Sequence, residues 1–96
     1  KVKVGFIPLG YTRIELVQPT SEDSATAKFI ASKGEGLHHI ALGTTDVAAS
    51  LKKAGEAGIR LIDVEPKPGA HGTRVGFAHP KSTFGTLIEL VEEGKH

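Results

Sequence analysis

The tetrapeptide Ile-Glu-Leu-Val occurs twice, as Ile14-Glu15-Leu16-Val17 near the beginning and as Ile88-Glu89-Leu90-Val91 near the end, each time after a glycine-containing turn. A repeated strand of this kind implies a structural unit used twice, and the segments between the copies say which unit. Leu37 to Gly43 reads as a strand. Thr45 or Asp46 then caps a helix whose Val47, Leu51 and Ala54 fall along one face, and Gly58 ends it. Arg60 to Val64 reads as the next strand, Pro66 to Gly72 as a Pro/Gly loop, Thr73 to Ala78 as a third strand, and Thr86 to Val91 as a fourth. The order is therefore β-α-β-β-β. One helix after the first strand leaves three consecutive strands to pair as meanders, with the helix on one face of the sheet and the other face open.

Upstream, Val2, Val4, Phe6 and Ile7 open a strand, Leu9-Gly10-Tyr11 turns it, and Thr12 to Val17 returns as its hairpin partner until Pro19 stops it. The cluster Thr20-Ser21-Glu22-Asp23-Ser24 caps a short helix, Ala25 to Ser32, that Gly34 and Gly36 end. The expected class is α+β with a mixed or antiparallel curved sheet. Residues 1–20 form the last two strands of a first βαβββ module, 21–36 a linker helix, 37–92 a complete second module and 93–96 a solvated tail. Lys1 falls inside a strand, so an upstream portion of the first module is expected to be missing.

A chain of 96 residues supports one small domain and a modest core. It has no Cys, which removes disulfides and thiolate chemistry and fits a reducing compartment. Its net charge is +1, with neither sign massed in a block, so no nucleic-acid or anionic-membrane partner is indicated. No apolar run approaches the roughly 18 residues of a spanning helix, and a soluble, intracellular chain is expected.

Strand alternation puts Ile14 and Leu16 on one face and Glu15 and Val17 on the other. By the same rule Ile88 and Leu90 pack under the helix, while Leu87, Glu89 and Val91 line the opposite side. Ile40 and Leu42 likewise take the helix face and His39, Ala41 and Gly43 the other. A carboxylate in an apolar row is expensive to desolvate unless a cation meets it, and two carboxylates with an imidazole suit first-row divalent ions. Taken one at a time, each of the three reads more readily as a solvated residue on an exposed sheet, so spacing leaves the choice open.

Gly34-Glu35-Gly36-Leu37-His38-His39-Ile40-Ala41 resembles the segment of the methylmalonyl-CoA epimerases in which a strand-borne histidine binds metal. Arg60-Leu61-Ile62-Asp63, Pro68-Gly69-Ala70-His71-Gly72, His79-Pro80-Lys81-Ser82-Thr83 and Leu87-Ile88-Glu89-Leu90 follow in the same order as in that family. Phe6-Ile7-Pro8-Leu9-Gly10, Ile14-Glu15-Leu16 and Pro19-Thr20-Ser21 resemble the end of its first module and its linker. The family has the vicinal oxygen chelate, or glyoxalase-like, fold: two βαβββ modules forming a cup around one metal.

The resemblance implies that His39 and Glu89 are the second module's metal ligands, and that Glu15 is the fourth-strand ligand of the first, where relatives also carry Gln. The ion expected is divalent, of the cobalt, zinc, manganese or nickel class. The remaining histidine and a second base lie upstream of Lys1, so this chain is expected to be incomplete for activity. The implied reaction is epimerisation of methylmalonyl-CoA by removal and return of the α-proton, with Glu89 as both ligand and base. Lys81, Ser82 and the backbone N–H groups of their loop are candidates for holding a carboxylate or thioester oxygen, and His71 for a place near substrate. His38 is expected on the face opposite His39, and Phe84 stands where a small residue is expected. A coenzyme A thioester substrate, a homodimer, and a cytoplasmic location, or the mitochondrial matrix in a eukaryote, complete the expectation. A lactoylglutathione lyase of the glyoxalase I type and a metal-free ligand-binding module of the same superfamily are the alternatives. The His-Pro-Lys-Ser-Thr turn and the Gly-Ala-His-Gly loop favour the epimerase over the lyase, and the three donors together argue against a simple apolar pocket.

Overall fold

The computed structural model describes residues 2–93, so the last three residues of the expected tail lie outside the described part. The chain divides into two compact units, Lys1–Gly36 and Leu37–His96.

In the first unit β1 (Val2–Leu9) and β2 (Thr12–Pro19) form an antiparallel hairpin. Gly10, with φ 64°, allows the tight reversal that a side chain would resist. Pro19 ends β2 opposite Val2, at the hairpin's open end. Helix α1 (Ala25–Lys33) starts where the Ser24 hydroxyl accepts the Ala27 N–H at 3.1 Å. It ends at Gly34, whose N–H donates to the Ile30 carbonyl.

The second unit contains β3 (His39–Gly43), α2 (Val47–Glu56), β4 (Lys67–Pro68), β5 (Arg74–Ala78) and β6 (Leu87–Glu92). Its sheet runs β3-β6-β5-β4, with β3 parallel to β6 and the other pairs antiparallel. The last three strands pair as a meander, with Lys67–Pro68 in the place expected for Arg60–Val64, and β3 joins β6 through the crossover helix. The core lies where α2 meets β5 and β6: Val47 and Leu51 are fully buried. Leu51 lies over Gly76, where a Cβ would come within 2.5 Å of Leu51 Cδ1. That contact marks the α2 side of the sheet. Gly76 pairs with Leu90, so Leu90, Ile88, Ile40 and Leu42 share that side as alternation requires. Ile40 and Leu42 nevertheless remain 41% and 50% exposed, because α2 covers β5 and β6 and leaves β3 at the margin.

The expected strand over Arg60–Val64 does not form a ladder. Leu61 makes a single bridge to Ala78, and the Ile62 and Asp63 N–H groups converge on the Phe77 carbonyl at 2.9 and 3.3 Å. The Phe77 N–H donates to the Asp63 carboxylate at 2.9 Å, so a side chain occupies the place of a backbone carbonyl and regular pairing stops. Pairing resumes at Lys67–Pro68, inside the stretch read as a loop, at the sheet's margin where proline's missing donor costs nothing.

Glu92 lies at the end of β6, the last residue of the second module. Its Oε1 accepts the Val47 N–H at 2.8 Å while Asp46 accepts the Ala49 N–H at 3.0 Å, so two carboxylates occupy the positive end of α2. Glu92→Ala should therefore lower unfolding stability by about 1–2 kcal/mol, and Glu92→Gln, which keeps the acceptor, by less than about 1 kcal/mol. Urea midpoints for the two variants measure the difference; equal losses would mean that the N–H bond contributes nothing. No helix among the described residues is long and apolar enough to cross a membrane.

Candidate active site

On the side of the sheet away from α2, Ala41, Glu89 and Phe77 form a row across β3, β6 and β5. His39 stands one diagonal step along β3, in register with Leu87. Parallel neighbours place the two polar side chains together: His39 Nε2 lies 3.5 Å from Glu89 Oε1, with 20% and 18% of the side chains exposed. Both groups are thus largely withdrawn from water, where a nitrogen and an oxygen donor face each other.

His38 lies just outside the first ladder residue, so the alternation that would send it to the opposite face does not apply. Its ring meets the His39 ring edge-on, with Nδ1 2.9 Å from His39 Nδ1. Beyond Phe77, Lys67 Nζ sits 4.9 Å from the ring centroid and 3.2 Å from Asp63 Oδ1. Strand periodicity does not foresee this ion pair, since it treats Asp63 as an ordinary strand residue.

Glu15 belongs to the first unit, on β2 opposite Phe6, where Arg13 stacks 4.9 Å above the Phe6 ring. The structure describes it within its own unit, and among the described residues no group of three or more His, Asp or Glu side chains is gathered as a ligand set.

The candidate substrate residues divide. Lys81 and Ser82 lie in the loop joining β5 to β6, at the end of the sheet where β3 and β6 begin, with Ser82 hydrogen-bonded to Arg60 on the side of β5 away from β6 and β3. His71 lies before β5, at that strand's other end, with a strand of roughly 13 Å, at about 3.3 Å per residue, between the two loops. His71 is exposed and adopts a left-handed conformation, φ 57°, inside a loop closed by a Gly69 N–H bond to the Thr73 carbonyl. In the other loop the Lys81 N–H donates to His79 Nδ1 and the Ser82 N–H to the His79 carbonyl. The Thr83 and Gly85 N–H groups both donate to the Pro80 carbonyl. These four N–H groups serve the loop's own closure, which corrects the expectation that they face an oxyanion. The Ser82 hydroxyl likewise accepts the Arg60 N–H at 3.0 Å. Lys81 is exposed, and so is Phe84, which holds φ 58° where the expected small residue would relax the turn.

Residues 1–77 match the model of the glyoxalase/bleomycin resistance protein/dioxygenase superfamily. An ethylmalonyl-CoA/methylmalonyl-CoA epimerase of Cereibacter sphaeroides is 44% identical over 91 residues, 93% of this chain and 68% of that protein. The chain belongs to the methylmalonyl-CoA epimerase family. Its fold is accordingly the glyoxalase-like α+β arrangement. The human mitochondrial methylmalonyl-CoA epimerase is 40% identical over 90 residues, 93% of this chain and 51% of its own length. Among solved structures, a Streptomyces coelicolor methylmalonyl-CoA epimerase variant in complex with 2-nitronate-propionyl-CoA superposes with a TM-score of 0.84 at 40% identity, covering 96% of this chain and 68% of that one. A methylmalonyl-CoA epimerase bound to methylmalonyl-CoA and NH4+ gives the same score and coverage. The chain thus spans about half to two thirds of the length of these epimerase-family relatives.

Proposed function

We propose that this chain is the part of a methylmalonyl-CoA epimerase that carries the second module's metal ligands and one acid–base group. The observation that carries the reading is the His39–Glu89 pair, drawn from neighbouring strands and held 3.5 Å apart on the open side of the sheet. The donor set fits a divalent ion. An imidazole nitrogen and a carboxylate oxygen, both largely out of water, suit cobalt, zinc, manganese or nickel, and Glu15 of the first unit is the third ligand that the family resemblance supplies. Such an ion, when bound, acts as a Lewis acid toward a thioester carbonyl and favours the enolate.

The chain's own residues then divide the remaining work. The Glu89 carboxylate takes the proton from the carbon between thioester and carboxylate and gives one back. Inversion needs a second acid–base group on the other face of that carbon, which the resemblance places upstream of Lys1. Lys81, exposed in the β5–β6 loop at the end of the sheet where β3 begins, offers a cation to the substrate's carboxylate or to a coenzyme A phosphate. Ser82 shapes the same loop, and His71, at the far end of β5, serves a more distant part of a long substrate. The working form is a homodimer in the cytoplasm, or in the mitochondrial matrix of a eukaryote.

The test is deuterium exchange at the α-carbon of methylmalonyl-CoA in D2O, followed by mass spectrometry, beside turnover of the glutathione hemithioacetal of methylglyoxal, both measured on a chain extended upstream to complete the first module. Exchange with the first and no lactoylglutathione from the second is expected. The reverse result assigns the protein to the lyases, and activity on neither leaves the ligand-binding alternative in possession.

A further inference from the structure

His38 and His39 touch through like nitrogens. Their rings are T-shaped, with centroids 5.1 Å apart and planes at 87°, and the two Nδ1 atoms are 2.9 Å apart. At that distance one nitrogen carries the proton and the other presents its lone pair.

Which one donates decides what the far side of His39 offers. When His38 Nδ1–H donates, a neutral His39 carries its proton on Nε2, aimed toward Glu89 Oε1 at 3.5 Å. When His39 Nδ1–H donates, Nε2 keeps its lone pair beside the same carboxylate and is ready to bind a cation. In both arrangements each neutral ring holds one proton. The first has protons on His38 Nδ1 and His39 Nε2, the second on His39 Nδ1 and His38 Nε2. Passing from one to the other exchanges tautomers with no net gain or loss of protons.

We propose that His38 is a positioning residue for the metal centre: its Nδ1 accepts the His39 Nδ1–H and so holds the His39 Nε2 lone pair toward the cation. The inference deepens the epimerase reading and rests on His39 being a ligand. It gives His38 a role that strand alternation does not foresee. It also gives the adjacent pair of histidines a physical reason, since the His38 ring meets the His39 ring just before the ladder begins. The conformation is set by the backbone at the start of β3, and the half-buried position of both rings limits competition from water.

Calorimetric titration with Zn2+ and long-range 1H–15N spectra of 15N-histidine protein test it together. In the wild-type chain Zn2+ should move the His39 Nε2 resonance and leave Nδ1 protonated. His38→Leu removes the acceptor, and Zn2+ should then bind about 10- to 100-fold more weakly, with the Nε2–H form of His39 gaining population in the metal-free chain. His38→Asn places an amide oxygen on the same branch and should restore affinity and the Nδ1–H signature. Circular dichroism on all three shows whether the fold is kept. Wild-type affinity in His38→Leu, or equal losses in folded Leu and Asn variants, overturns the role of His38 while leaving the His39–Glu89 pair intact. A wild-type chain whose His39 resonances ignore Zn2+ overturns the ligand pair and the role together.

Discussion

In the protein extended upstream through its first module, Glu89→Gln should lower α-proton exchange by a factor on the order of 10² to 10⁴ while leaving the urea midpoint nearly unchanged. The amide has the carboxylate's shape and keeps an oxygen that accepts hydrogen bonds, so the row Ala41–Glu89–Phe77 is not disturbed. What it loses is the ability to take up a proton. It also loses the negative charge opposite His39 Nε2, so cation affinity should fall as well. The two losses separate experimentally. Saturating Zn2+ or Co2+ restores occupancy, and a rate that stays low under saturation assigns proton transfer to Glu89. A rate that recovers fully makes Glu89 a ligand alone, and a rate never reduced removes it from the mechanism.

The second large effect concerns the fold. Leu51→Ala should cost about 2–5 kcal/mol, because the side chain is fully buried and its removal leaves a cavity between α2 and β5. Gly76→Ala should cost about 1–3 kcal/mol for the opposite reason, since the new Cβ would stand 2.5 Å from Leu51 Cδ1. The double variant should be more stable than the sum predicts, by about 0.5–3 kcal/mol, as the methyl at 76 enters space vacated at 51. Denaturant unfolding of the four proteins measures this. Strict additivity would show that α2 adjusts its distance from the sheet instead of meeting it at a fixed contact.

Local signals made much of this architecture readable. The Thr20–Ser24 cluster and the Thr45–Asp46 pair each announce a helix start, because a short side-chain oxygen beside an apolar run has few better partners than an unpaired N–H, and the structure selects Ser24 and Asp46. The face shared by His39 and Glu89 followed from alternation, which holds wherever a ladder fixes the pleat. It failed at His38, which precedes the ladder, and at Arg60–Val64, where the Asp63 carboxylate supplants a carbonyl that periodicity takes for granted. The capping role of Glu92 has no local signal because its partner, the Val47 N–H, lies on a distant helix, and no local pattern encodes that meeting. The loop carrying Lys81 and Ser82 looked like a source of donors because its residues are polar. Only the three-dimensional closure onto His79 and Pro80 shows that the donors are already engaged. Glu15 illustrates a different boundary: its tetrapeptide was legible as a repeat, yet the site assigned to it depends on family resemblance.

Within the second unit, β3 is the first strand and β6 the last, and they lie side by side. A ligand gripped by both His39 and Glu89 therefore fastens the two ends of the unit's connectivity to each other. Unzipping β3 from its neighbour and holding the ligand become mutually exclusive states. By mass action, each tenfold rise in cation concentration above the dissociation constant should slow amide exchange through fraying of β3 by about tenfold, until global unfolding becomes the easier route.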